Sequence, residues 1–127
     1  MTHRTILFAL TLLAVSPAAL AGEVVPYDAA ALAQAQTEGV PIVIHVTAPW
    51  CPTCRAQKPI VQSLAEDPGN PDLIVFDVDF DSQQDVLRQF GVRYQSTLIA
   101  FKGAEERTRS IGVTDPAGIA ELIAATR

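Results

Sequence analysis

The chain has 127 residues, enough for one domain and no more. Fourteen acidic against nine basic residues give a formal charge of −5, which repels nucleic acid and anionic lipid headgroups, and no basic run offsets it. With only two cysteines the chain is not a disulfide-stapled miniprotein, so its core rests on the 49% of residues that are hydrophobic.

The chain opens with a short basic start, Thr2 to Arg4, and an apolar run, Ile6 to Val15. Ser16 and Pro17 break the run, and Ala19-Leu20-Ala21 forms a small-x-small cleavage site. That order predicts a signal peptide over 1–21, cut before Gly22. The run is too short for an ordinary membrane-spanning helix. The expectation is one exported domain over 22–127, periplasmic, with no stable membrane insertion after cleavage. Export places both cysteines where disulfides persist.

A short strand is expected near Val24 and Val25. Asp28 is placed to cap a helix over Ala29–Glu38, which Gly39 ends. "PIVIHVTA" from Pro41 is apolar on both faces, the pattern of a central, covered strand. Pro52 suits the first position of the next helix. That helix carries Ile60, Val61, Leu64 and Ala65 on one side, and Pro59 should kink it. "DPGNPD" is a loop. "LIVFDVDFD" predicts a strand in which Phe76, Val78 and Phe80 alternate with Asp77, Asp79 and Asp81.

Ser82 with Asp85 suggests a capping box for a helix burying Val86, Leu87 and Phe90, stopped by Gly91. "TLIAF" and "RTRSI" read as strands joined by a turn at Lys102–Glu105. Asp115-Pro116 starts a last helix with Ile119, Leu122 and Ile123 inward. The acidic alternation at Asp77, Asp79 and Asp81 matches part of a calcium loop. Its glycine and terminal glutamate are missing, so a solvated strand face is the better reading for Asp79 and Asp81.

Cys51 and Cys54 stand in "APWCPTCRAQKP". A zinc site needs about four ligands, and removing 1–21 leaves two cysteines and His45. A structural disulfide over two intervening residues would constrain little of the unfolded chain. A redox pair has a mechanism. Cys51 is at a helix N-terminus, where free amide N–H groups and the helix dipole favour its thiolate. Cys54, one turn on, is placed to attack a mixed disulfide formed by Cys51. Trp50 offers a partner an apolar surface, or serves ordinary packing.

The strand, the W-C-x-x-C element with Pro59 five residues later, the strand ending in Asp81, "FGVRYQSTLIAF", Gly112 and a final helix together resemble the thioredoxin superfamily. The likeness spans nearly all of 22–127. It implies an α/β thioredoxin fold, a central mixed sheet of four to five strands flanked by helices. It implies Cys51 exposed and nucleophilic, Cys54 buried and resolving, and thiol–disulfide exchange with protein substrates. Trp50, Pro52, Thr53, Gln95, Ser96 and Thr97 would meet the substrate. No cofactor is implied, and electrons pass to or from an unidentified redox partner.

Three positions depart from the family pattern. The dipeptide between the cysteines is Pro52-Thr53, and in the family this dipeptide tunes a potential that ranges over roughly −270 to −120 mV. The family's buried acid aligns with His45 and its nearby lysine with Asp77. His45 is then either a proton acceptor for Cys54 held by Asp77, or a hydrogen-bonded core histidine without a redox role. Finally, Ser96 occupies the place of a cis-proline. A cis bond before serine costs about 2.5–4 kcal/mol, so a trans Gln95–Ser96 bond, an altered groove and a serine hydroxyl facing Cys51 are expected. Loss of that proline also opens a rival reading, a copper-binding or chaperone module, because soft thiolates suit Cu(I). That reading needs a third ligand near the pair.

Overall fold

The computed structural model describes residues 22–127; the predicted signal peptide lies outside them. Five strands and four helices follow in the order β1 (Glu23–Pro26), α1 (Ala29–Glu38), β2 (Pro41–Thr47), α2 (Pro52–Glu66), β3 (Ile74–Asp79), α3 (Gln84–Phe90), β4 (Thr97–Lys102), β5 (Glu105–Ile111) and α4 (Pro116–Ala124). The sheet order is β1-β3-β2-β4-β5. The β1/β3 and β2/β3 pairs are parallel, and β2/β4 and β4/β5 are antiparallel. This is the mixed sheet expected from the sequence.

The sheet is covered on both faces because β2 alternates between two cores. Ile42, Ile44 and Val46 pack with Leu32 and Ala35 of α1 and with Val86 and Leu87 of α3. Val43 packs with Val61 and Ala65 of α2 and with Ile119, Leu122 and Ile123 of α4. A strand buried on both faces reads as continuous apolar sequence. His45 falls in register with Val43, on the face that α2 covers, and is 1% exposed.

Most elements begin and end where local chemistry dictates. Asp28 accepts the Ala31 N–H at 2.8 Å and caps α1. Asp115 does the same for α4 through Gly118 at 2.9 Å. The third helix differs. Its N-cap is Gln83, and no side chain caps it. Ser82 instead gives both its N–H and its hydroxyl to Asp79 Oδ1, at 2.8 and 2.9 Å. The Asp79 carboxylate, which also accepts the Asp81 N–H at 3.0 Å, turns the chain and ends β3 before Phe80 and Asp81.

Candidate active site

Cys51 is the N-cap of α2, with extended backbone angles, and its Sγ accepts the Cys54 N–H at 3.1 Å. A helix N-terminus thus presents an amide directly to the sulfur. Both cysteines are free thiols. Cys54 is fully buried, as the resemblance implied. Cys51 is also closed off, at 1% exposed, which corrects the expectation of an exposed nucleophile. The cover is thin, and Cys51 lies close below the surface. Ala48 and Phe80 pack beside the pair. Phe80 is held there by its N–H to Thr47 O, at 2.8 Å.

Ser96 completes the cover. Its Oγ lies 3.1 Å from Cys51 Sγ and 3.2 Å from Cys54 Sγ. No peptide bond among the described residues is cis, so Gln95–Ser96 is trans. Ser96 sits at φ 63°, a left-handed conformation that serine adopts only under constraint. Three hydrogen bonds fix it. Ser96 N–H donates to Val46 O at 2.8 Å, and Ser96 O accepts from Gly112 N–H at 3.0 Å and from Gln57 Nε2 at 3.1 Å. Gly112, at φ 77°, supplies the turn that aims its N–H here.

The two thiols are tuned apart. Burial pushes Cys51 up, but hydrogen bonds from the Cys54 thiol, Ser96 and the Cys54 and Thr53 amides outweigh it and hold the thiol below its ordinary value. Burial is also the largest influence on Cys54, and there it prevails, joined by the neighbouring Cys51. Cys51 is the better thiolate and Cys54 the better-kept thiol.

Below the pair, β2 and β3 set His45 directly beside Asp77. His45 Nδ1 lies 3.3 Å from Asp77 Oδ1, off the line of a hydrogen bond, and that oxygen has no hydrogen-bond partner. His45 Nε2 pairs with Gln57 Oε1 at 3.0 Å rather than with Cys54. Gln57, fully buried, gives its amide hydrogens to Ser96 O and to Val113 O, at 3.1 and 2.8 Å. The sequence reading missed Gln57. Its signal was its place on the buried stripe Cys54, Gln57, Val61, Ala65, where spacing calls for an inward side chain.

The remaining predicted contacts divide in two. Trp50 is 54% exposed, and its Nε1 donates to Asp81 Oδ2 at 2.8 Å. Pro52 is exposed, and Thr53 and Gln95 are half-buried. Ser96 and Thr97 are 3% and 2% exposed and bonded inward, Thr97 Oγ1 donating to Tyr94 O at 2.7 Å. Both side chains turn inward, Ser96 toward the two sulfurs and Thr97 toward the Tyr94 carbonyl. Asp79 and Asp81 of the acidic alternation are bonded to the Ser82 turn and to Trp50, and Asp77 lies beside His45. Among the described residues no three His, Cys, Asp or Glu side chains gather to hold a metal ion, so the copper reading lacks its third ligand.

The thioredoxin family model matches residues 26–125, which include the cysteine pair and Ser96. The chain belongs to the thioredoxin family. A thioredoxin of Chlamydia muridarum is 32% identical over 82 residues, 65% of this chain and 78% of that protein. The chain spans only 37% of thioredoxin M4 of Arabidopsis thaliana, at 34% identity over 58% of its own length. It spans 49% of the M-type thioredoxin of Zea mays, at 30% identity over 65% of its own length. Among solved structures, Trxlp from Edwardsiella tarda EIB202 has a TM-score of 0.77 at 42% identity, covering 80% of this chain and 98% of that one. In this thioredoxin-family site the sequence motif, the fold and the tuned thiols coincide.

Proposed function

We propose that this protein is an exported, periplasmic thiol–disulfide oxidoreductase acting on protein thiols and disulfides. The observation that carries the reading is the split between the thiols: Cys51 held low at a helix N-terminus, Cys54 held high beneath it. Cys51 thiolate attacks a substrate disulfide and Cys54 resolves the mixed disulfide. Trp50, Pro52, Thr53 and Gln95 form the rim that a substrate meets. His45 acts as a positioning residue, steadying Ser96 through Gln57 rather than touching sulfur, with Asp77 beside it. An unidentified redox partner closes the cycle.

The test is to equilibrate the 22–127 chain with glutathione buffers and follow Trp50 fluorescence. The expected result is a reversible two-electron transition within roughly −270 to −120 mV. Absence of any reversible transition overturns the reading. N-terminal sequencing of protein recovered from the periplasm should begin at Gly22; retention in the cytoplasm with an intact N-terminus defeats the export half.

A further inference from the structure

Ser96 has one hydroxyl proton and two sulfur neighbours, and no other polar atom is hydrogen-bonded to its Oγ. A neutral thiol is a weak acceptor, so a buried hydroxyl facing only two neutral thiols would be poorly satisfied. One thiolate changes this. The hydroxyl then donates a charge-assisted bond to Cys51 Sγ. Position 96 is also strained for any residue but glycine. A side chain kept at such a position is expected to repay the strain, and this one does so only at sulfur.

We propose that Ser96 is a catalytic residue, a hydroxyl that donates its hydrogen bond to whichever cysteine sulfur carries the charge, Cys51 before attack and Cys54 before resolution. The proposal rests on the oxidoreductase reading above. In the first step Cys51 S⁻ attacks R–S–S–R′; the bond Cys51–S–R forms and R′S⁻ leaves with the electron pair. The Ser96 hydroxyl stabilises the attacking thiolate before this step. In the second step Cys54 sulfur attacks Cys51 Sγ. The Cys54 proton is lost to solvent as the Ser96 hydroxyl turns its hydrogen bond to Cys54 Sγ, 3.2 Å away, and RS⁻ leaves with the electron pair. The protein dithiol is oxidised by two electrons, the substrate disulfide is reduced by two, and Ser96 ends with the one proton it began with.

One hydroxyl lies within reach of both sulfurs, 3.1 Å from Cys51 Sγ and 3.2 Å from Cys54 Sγ. A cis-proline at this position has no hydroxyl and could play no such part. Nothing else hydrogen-bonds both sulfurs through a side chain.

The experiment uses Ser96→Gly and Ser96→Ala. Both delete the hydroxyl, but glycine relieves the positive φ and alanine does not, so a shared effect belongs to the hydroxyl and not to the backbone. The probe is 5,5′-dithiobis(2-nitrobenzoate), which releases one coloured thiolate when Cys51 attacks and a second when Cys54 resolves. Thiolate absorbance of the reduced protein is titrated alongside. In both variants the Cys51 midpoint should rise by about one pH unit, the shift expected on losing one charge-assisted bond. The second release should slow about tenfold, the effect expected on losing one charge-assisted hydrogen bond. An unmoved midpoint or an unchanged second release in either folded variant overturns the proposal. A parent protein that releases only the first thiolate, or neither, overturns the oxidoreductase reading as well, which separates the two failures.

Discussion

Gln57 Oε1 accepts a hydrogen bond from His45 Nε2 at 3.0 Å, and no other arrangement of these two side chains satisfies the site. The amide nitrogen of Gln57 already faces two carbonyl oxygens, Ser96 O and Val113 O. Flipping the amide would set oxygen against oxygen at both. Oε1 must therefore face the ring, and an acceptor there requires the proton on Nε2. His45 Nδ1 then turns its lone pair toward Asp77 Oδ1.

This makes the first prediction. Ring nitrogen shifts of His45 should report Nε2 protonated in the parent protein and a mixture of tautomers in Gln57→Leu. The same variant leaves Val113 O and the ring N–H without these partners, each costing about 1–3 kcal/mol, so its thermal midpoint should fall sharply. Gln57→Glu should show a signed pH effect. A carboxylate facing two carbonyls is disfavoured, which raises its folded-state pKa above the unfolded one. The penalty is absent below the ordinary carboxylate range and grows as pH rises through it. Denaturant midpoints that do not depend on pH in this variant would contradict the assigned orientation.

The second prediction concerns the thiols. Because Cys51 is held low and Cys54 high, alkylation near neutral pH should label Cys51 first, at a midpoint below that of an ordinary thiol. Labelling should rise with pH through that midpoint and level off before Cys54 begins to react. The thin cover adds a size effect: iodoacetamide should outrun bulky maleimides by more than it does on a free thiol, since Cys51 is 1% exposed. Mass mapping that finds Cys54 modified first would reverse the assigned roles.

A third prediction follows the turn after β3. Asp79 holds Ser82 and Asp81, and Asp81 in turn holds the Trp50 indole at 2.8 Å. The carboxyl of Asp79 is kept below its usual range, mainly by the Ser82 amide and hydroxyl. A depressed folded value stabilises above the unfolded value and is lost as pH falls through the folded one. Asp79→Ala should cost about 1 kcal/mol or less, as for an exposed cap. It should remove that part of the acid sensitivity. Asp81→Ala should leave stability unchanged but free the indole, seen as faster decay of Trp50 fluorescence anisotropy. An unchanged anisotropy would mean the indole is held by Phe80, whose ring centroid lies 6.3 Å away, and not by Asp81.

Residue chemistry made the elements readable and left the site's closure hidden. Strands β2 and β3 announced themselves by apolar runs, and Asp28, Gly39, Gly91 and Asp115 marked helix ends through caps that act over three or four residues. The side-by-side placement of His45 and Asp77 followed from strand register once the family likeness had aligned them. Gln57 was invisible because a polar residue on a helix reads as solvent-facing until its partners are known, and those are 12 to 56 residues away. Ser82 was misread for a related reason: its capping chemistry was real, but Asp79, three residues earlier, claimed it. The contact of Ser96 with Cys51, 45 residues distant, was legible only through the family alignment, and the burial of Cys51 beneath it was not legible at all.

The last prediction tests the Ser96 loop itself. The family likeness suggests that Ser96→Pro would restore an ordinary groove and raise exchange with general disulfide substrates such as insulin. The structure argues otherwise. Proline fixes φ near −65°, whereas Ser96 is at 63°. Proline has no N–H, so the 2.8 Å bond to Val46 O would be lost and a buried carbonyl left unpaired. Rebuilding the loop would also displace Ser96 O from Gly112 and Gln57, and through Gln57 disturb His45. Ser96→Pro should therefore lose roughly 3 kcal/mol of stability, the scale at which proline meets a backbone and hydrogen bond it cannot match. Insulin reduction should not improve, because the Ser96 hydroxyl at the two sulfurs disappears together with the loop that carried it. The checks are a denaturant melt and an insulin turbidity assay on the same preparation. A variant as stable as the parent, with faster insulin reduction, would show that the loop accepts the proline conformation freely and that the hydrogen bonds around Ser96 are incidental to its fold.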